Sequence, residues 1–105
     1  MERGEEIYMD FCIVCHMGNG KGVPKTFPPL AYSDYLMTKR NESIKAIKYG
    51  LSGEIKVNGD SYNMPMARLG LSDDEVADVM NYITNSWGNT NSSLITEKEV
   101  SEIQQ

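Results

Sequence analysis

Two cysteines and a histidine stand together near the start of the chain. They form Cys12-Ile13-Val14-Cys15-His16, which reads C-x-x-C-H, the attachment signature of a c-type haem. Two thiols at this spacing can bond to the two vinyl groups of one porphyrin, and the adjacent imidazole can ligate the iron from one face. The motif therefore predicts one covalently bound haem c with its iron.

Two other uses of a C-x-x-C pair fit this sequence less well. A structural zinc site usually takes four nitrogen or sulfur ligands, whereas the chain holds two cysteines and one histidine in all. A thioredoxin-type redox pair is expected beside a βαβ pattern, and no such pattern surrounds Cys12 and Cys15. The ligand count therefore favours haem, and the flanking sequence has to decide.

A second iron ligand would decide what such a haem does. Met64 and Met66 flank Pro65 in a loop that precedes the last main helix. Most methionines are flexible core fillers, but this pair lies in a proline-bearing loop far along the chain from His16. A thioether at the sixth position closes the iron and raises its potential, which suits electron transfer. An open sixth position would instead suit haem catalysis or gas sensing.

The elements that must hold these residues are predicted to be short. Residues 3–11 are predicted as a helix, and Gly4 and Tyr8 within it recur at a spacing of four residues that continues to Cys12, which places the three on one face. Residues 17–30, rich in glycine and proline, are predicted as an extended loop. The remaining predictions are helices over 33–38 (capped by Ser33), 42–49 (capped by Asn41), 72–86 (a Ser72–Glu75 capping box) and 97–103 (capped by Thr96), and a hairpin over 54–62 around Asn58-Gly59.

Length and charge limit the class of protein further. The 105 residues are predicted to form one domain, 1–105, in which 89–105 is a C-terminal extension with a short helix. Only 40% of the residues are apolar, which makes a thin core unless a cofactor fills its centre. Residues 1–50 carry seven Lys and Arg against six Asp and Glu, and residues 51–105 carry three against nine. This acidic second half argues against nucleic-acid binding.

The sequence predicts neither a membrane span nor a signal peptide. No apolar run approaches the roughly 20 residues that cross a bilayer. The acidic start at residues 1–6 lacks the apolar centre of a signal peptide. Since haem is attached covalently on the far side of the bacterial cytoplasmic membrane, we expect an export signal or a parent domain outside this sequence. A membrane anchor or fusion partner there is compatible with the pattern.

Several stretches resemble the class I cytochromes c, and the resemblance extends over residues 3–88. They are Gly4 and Tyr8 with the C-x-x-C-H motif, Phe27-Pro28-Pro29-Leu30 (called here the proline loop), Tyr62-Asn63-Met64-Pro65, and Val79 with Tyr82. Residues 62–65, 71–75 and 82–89 are most similar to bacterial cytochrome c modules. Such modules occur alone or fused to periplasmic oxidoreductases, among them nitrite reductases, quinoprotein dehydrogenases and terminal oxidase subunits.

The resemblance implies an all-α fold of four to five short helices around one haem, with a small hairpin or loop before the axial methionine. It implies iron ligation by His16 and Met64, with the Pro28 carbonyl accepting a hydrogen bond from His16 Nδ1. Met66 departs from the family pattern and adds a second sulfur beside the first. The implied cofactor-binding residues are Cys12, Cys15, His16, Pro28, Leu30, Tyr62 and Met64, and the candidate partners of the haem propionates are Tyr49, Tyr62, Arg68 and Trp87.

The function implied by the resemblance is electron transfer, with no catalytic residue and no bound substrate. The partners would be periplasmic redox proteins that dock transiently, such as a reductase, a dehydrogenase or a terminal oxidase. A haem enzyme or gas sensor with an open or labile sixth position is the alternative, although a di-haem peroxidase would need a second C-x-x-C-H motif. A domain without a cofactor would leave the haem motif, the proline loop and the Met-Pro pattern unexplained.

Overall fold

The computed structural model describes residues 2–105, which fold into five helices and one short hairpin. The first helix, α1, is continuous through Glu2–Ile7, a single π-helical turn at Tyr8–Cys12, and Ile13–His16. The hairpin strands pair antiparallel, with Ile55 opposite Tyr62. The other elements are α2 (Asp34–Thr38), α3 (Arg40–Tyr49), β1 (Ile55–Val57), β2 (Asp60–Tyr62), α4 (Asp73–Ile83) and α5 (Glu97–Glu102).

Helix α1 crosses closely over α4, and this close approach depends on Gly4. A Cβ at position 4 would overlap the Asp78 carbonyl oxygen and lie 2.8 Å from Tyr82 Cβ. One turn further along α1, the buried Tyr8 ring lies 5.6 Å from the Tyr82 ring and 5.1 Å from the Trp87 ring, centroid to centroid. Tilted aromatic pairs at such distances stabilise a contact beyond the area that they bury. For Gly4 and Tyr8, the predicted shared face is therefore confirmed as the face that packs on α4.

The core lies between α1, α3, α4 and residues 89–105, called here the C-terminal segment. Each of these elements contributes fully or almost fully buried apolar side chains, among them Ile7, Ile44, Ile47, Val76, Val79, Met80, Ile83, Ile95 and Val100. The C-terminal segment is joined to α4 by Asn81, which donates to the Ile95 carbonyl at 2.9 Å and accepts from the Ile95 N–H at 2.8 Å. No helix within residues 2–105 has the length and apolar character needed to cross a membrane.

The end of α1 and the beginning of α3 differ from the sequence-based predictions. The first helix does not stop at Phe11 but continues through His16, because the π-helical turn absorbs the change in winding and the Met17 N–H still bonds to the Ile13 carbonyl. Asn41 does not cap α3, which already begins at Arg40. Asn41 lies inside the first turn of α3 and not before it, because the helical hydrogen bonds already begin with the Ser43 N–H donating to the Lys39 carbonyl.

Helix α4 ends at Ile83, three residues earlier than predicted. The Thr84 hydroxyl donates to the Met80 carbonyl at 2.6 Å and the Ser86 hydroxyl donates to the Tyr82 carbonyl, so the last turn is satisfied by side chains. Asn89, the first residue of the predicted C-terminal extension, is buried there. Its amide nitrogen donates to the carbonyls of Ile83 and Leu30, both at 2.9 Å. This single side chain joins the end of α4 to the proline loop.

An ion pair joins α5 to the start of α3. Arg40 donates to Glu99 through Nε at 2.6 Å and through a terminal nitrogen at 2.8 Å, and each side chain is less than a third exposed. The hydrogen bond from Arg40 holds the pKa of Glu99 below its ordinary value of 4.5. Because the pKa of Glu99 is lower in the folded protein than its ordinary value of 4.5, the ion pair stabilises the fold above that ordinary value. This stabilisation is lost as the pH falls through the pKa of Glu99 in the folded protein.

We therefore expect Glu99→Gln to cost about 1 kcal/mol of unfolding free energy at pH 6. The difference in unfolding free energy between the variant and wild type should shrink as the pH falls below 4.5, because wild-type Glu99 becomes protonated and then lacks the ion pair, as the variant does. Thermal unfolding of both proteins across this range measures the difference. A gap that stays constant down to pH 3 would contradict the assignment to Glu99.

Candidate functional site

The last two turns of α1 carry the thiols and the imidazole. Cys12, Cys15 and His16 stand at positions i, i+3 and i+4, a spacing that places them on one face of a helix. Both cysteines are free, Cys12 buried and Cys15 half-buried. Burial raises the pKa of the unattached Cys12 thiol to about 11. The structure thus presents two unpaired thiols and one imidazole to the same side of the helix.

The proline loop fixes the orientation of the His16 ring. Its Nδ1 lies 2.8 Å from the Pro28 carbonyl oxygen, and because a carbonyl can only accept, Nδ1 carries the proton. Burial lowers the pKa of His16, and the bond to Pro28 opposes that shift in part. The neutral ring therefore keeps Nε2 as a free lone pair, which is the state that binds a metal.

Two adjoining pockets open beside His16. They hold about 590 and 460 Å³ of atom-free space, with the solvent at their mouths included. The residues that line both pockets are His16, Pro28, Leu51, Ile55 and Met66.

All seven predicted cofactor-binding residues line these pockets. Cys12 and Leu30 line the first pocket, and His16 and Pro28 line both. The second pocket is lined, among others, by Cys15, Tyr62 and Met64. The structure therefore brings together side chains from α1, the proline loop, β2 and the loop after β2.

The two methionine sulfurs have different surroundings. Met64 lines only the second pocket and is 51% exposed, whereas Met66 is half-buried, lines both pockets and packs against the core cluster. Leu51 and Ile55, which also line both pockets, were not singled out from the sequence. The sequence signal for these two residues is weak, because a single apolar residue in a short or irregular segment belongs to no repeating hydrophobic pattern.

Two of the four candidate propionate partners are engaged elsewhere. The Trp87 indole nitrogen donates to the Gly18 carbonyl at 2.9 Å, and the Tyr49 hydroxyl donates to the Ile103 carbonyl at 3.1 Å. Each of these hydrogens already has a backbone acceptor, and the assignment of the two residues to the propionates stays a prediction. Tyr62 is buried beside the second pocket, and the Arg68 guanidinium lies over the Tyr49 ring.

The apolar pockets, the free thiols and the oriented imidazole fit a covalently attached porphyrin. A profile of the family described as Cytochrome c matches residues 1–87. The chain belongs to the cytochrome c family. Cytochrome c domains bind haem c with its iron through cysteine thiols, and Cys12 and Cys15 are present here as those thiols.

Relatives with curated names fall into two groups. The chain is 41% identical over 90 residues to cytochrome c-552 of Thermus thermophilus, an alignment that covers 81% of this chain and 68% of the relative. It is 30% identical over 102 residues to the cytochrome c subunit of a quinone-type alcohol dehydrogenase from Gluconobacter oxydans, covering 95% of this chain and 21% of the subunit. A gluconate 2-dehydrogenase cytochrome c subunit from Pantoea cypripedii is 27% identical over 106 residues, covering 97% of this chain. The chain spans about a quarter of this last subunit, 24%.

Proposed function

We propose that this cytochrome c domain carries single electrons through a haem whose iron is ligated by His16 and Met64. The observation that carries the proposal is that both residues line one pocket together with Cys15 and Tyr62. The bond from His16 Nδ1 to Pro28 leaves Nε2 for the iron. A thioether at the sixth position closes the iron to substrates, so the proposed domain is an electron carrier and not an enzyme.

The bound haem supplies a one-electron iron couple, and the residues of the chain set its surroundings. Pro28 holds the His16 ring in one orientation, which also makes the imidazole a better donor to the metal. The lining of the first pocket is almost entirely apolar, from the proline loop, α3, the hairpin and α4, and it keeps water away from the porphyrin. Such burial, together with a thioether ligand, favours the reduced iron and raises the reduction potential.

We propose that the partners are redox proteins of the periplasm that dock transiently, for example a dehydrogenase, a reductase or a terminal oxidase. The names of the relatives support this class, because two of them are cytochrome c subunits of an alcohol dehydrogenase and a gluconate dehydrogenase. The chain covers only about a fifth of the first of these, 21%, so it corresponds to one module of such a subunit. Transient redox interfaces are typically small.

The absorption spectrum of the holoprotein, oxidised and then reduced, with and without carbon monoxide, tests the proposal. Haem attachment through Cys12 and Cys15 requires expression in a host that attaches haem. We expect sharp low-spin bands on reduction, a weak far-red sulfur–iron band when oxidised, and no shift with carbon monoxide. A high-spin spectrum or a ready shift with carbon monoxide would overturn the proposal and favour a haem enzyme or gas sensor.

A further inference from the structure

The C-terminal segment is anchored to the last turn of α3. Lys48 Nζ donates to the Val100 carbonyl at 2.8 Å and to the Ile103 carbonyl at 3.1 Å, and the Tyr49 hydroxyl donates to the same Ile103 carbonyl at 3.1 Å. The Lys48 side chain is only 13% exposed, and its nitrogen also lies 3.3 Å from Asp73. Carbonyls at the end of a helix lack partners within the helix. Here, Lys48 and Tyr49 of α3 act as the hydrogen-bond donors to those carbonyls.

The same end of α3 holds the loop that carries the methionines, residues 63–71, called here the methionine loop. The Leu51 N–H donates to the Met66 carbonyl at 2.9 Å, and the Met66 N–H donates to the Leu51 carbonyl at 2.8 Å. Within residues 2–105, these are the two backbone hydrogen bonds that the loop makes. The loop therefore depends on the position of Leu51.

Tyr49 and Gly50 bring the methionine loop close to α3. Gly50 has a φ of +87°, and a Cβ at this position would lie 2.9 Å from the Met66 carbonyl oxygen. The Arg68 guanidinium lies 5.4 Å from the centre of the Tyr49 ring, within the range of a cation–π contact. Tyr49 thus contacts the loop through its ring and the C-terminal segment through its hydroxyl.

We propose that Tyr49 is a positioning residue, through which the C-terminal segment keeps the methionine loop closed over the sixth position of the iron. This inference rests on the proposed function, because it requires a methionine sulfur as the sixth ligand. A segment with few hydrogen bonds opens locally at a low cost in free energy, and each contact that fixes Leu51 raises that cost. Ile103 lies outside residues 1–87, which match the family profile, so the family assignment does not imply this contact.

Tyr49→Phe tests the proposal because it removes the hydroxyl and keeps the ring beneath Arg68. The measurement is a titration of the oxidised holoprotein with imidazole, which competes with the methionine sulfur and abolishes the far-red band. We expect imidazole to bind about 3- to 10-fold more tightly to the variant than to wild type, the range that corresponds to one hydrogen bond. Tyr32→Phe, at a side chain that is 71% exposed, should bind imidazole like wild type.

A purely structural role for Tyr49 would lower the unfolding temperature and leave the imidazole affinity unchanged. Arg3→Gln provides that comparison, because it removes the exposed ion pair from Arg3 on α1 to Asp74 on α4. Lys48→Met, which removes the other donor to Ile103, should shift the affinity in the same direction as Tyr49→Phe. Unchanged affinity in both α3 variants, with the far-red band present in wild type, would overturn the inference alone. A wild-type protein without that band would overturn the proposed ligation and the inference together.

Discussion

Met64→Ala is expected to turn a closed, low-spin haem into one that binds carbon monoxide readily. The substitution removes the thioether that we propose as the sixth ligand, and a methyl group cannot replace it. If Met64 holds the open form at about 1% of the molecules, its removal raises the apparent affinity for carbon monoxide by about 100-fold. The far-red band should disappear and the reduction potential should fall, because a thioether ligand raises it. Carbon monoxide titration of the reduced protein and a redox titration measure these effects.

Met66→Ala is the matched control for this prediction. Met66 lines both pockets and packs against the core, so its truncation should cost about 2 kcal/mol or more of stability and leave the far-red band in place. The opposite pattern, an open haem in Met66→Ala and a closed one in Met64→Ala, would assign the sixth position to Met66. A closed haem in both single variants and an open one in the double variant would show that either sulfur can ligate.

Gly4→Val should destabilise the protein more than any surface substitution on α1. A side chain at position 4 overlaps the Asp78 carbonyl oxygen, and because that atom belongs to the backbone of α4, the two helices must separate. Overpacking of this kind costs about 3 kcal/mol, a large share of the about 5 to 15 kcal/mol that stabilises a typical domain. Denaturant unfolding of the holoprotein, followed by circular dichroism, measures the loss.

Glu5→Val is the control for the helix crossing, since Glu5 is the next residue of α1 and is exposed. Glu5→Val should change the unfolding free energy by no more than about 0.5 kcal/mol. The folded fraction of Gly4→Val should keep its far-red band, because the methionine loop is not part of this crossing. Equal stability of Gly4→Val and wild type would contradict the close approach of α1 and α4.

The sequence by itself determined those features that are local along the chain. The C-x-x-C-H motif specifies its chemistry within five residues, because both thiols and the imidazole must reach one porphyrin. The hairpin follows from Asn58-Gly59, whose φ angles of +53° and +87° are those of the tight turn that this dipeptide favours. The capping of α4 was predicted for the same reason, and the Ser72 N–H does donate to Glu75 at 2.9 Å.

Only the tertiary structure decided the contacts between residues that are ordinary in type and distant in sequence. Asn89 looks like any linker asparagine until its amide is found between Leu30 and Ile83. The bond from Tyr49 to Ile103 and the pairing of Leu51 with Met66 likewise have no local signature. A side chain that bonds to a remote carbonyl leaves no periodic pattern, because the backbone acceptor is the same for every residue type. Spacing and turn chemistry therefore indicated the haem site, whereas long-range packing determined how the methionine loop is held beside it.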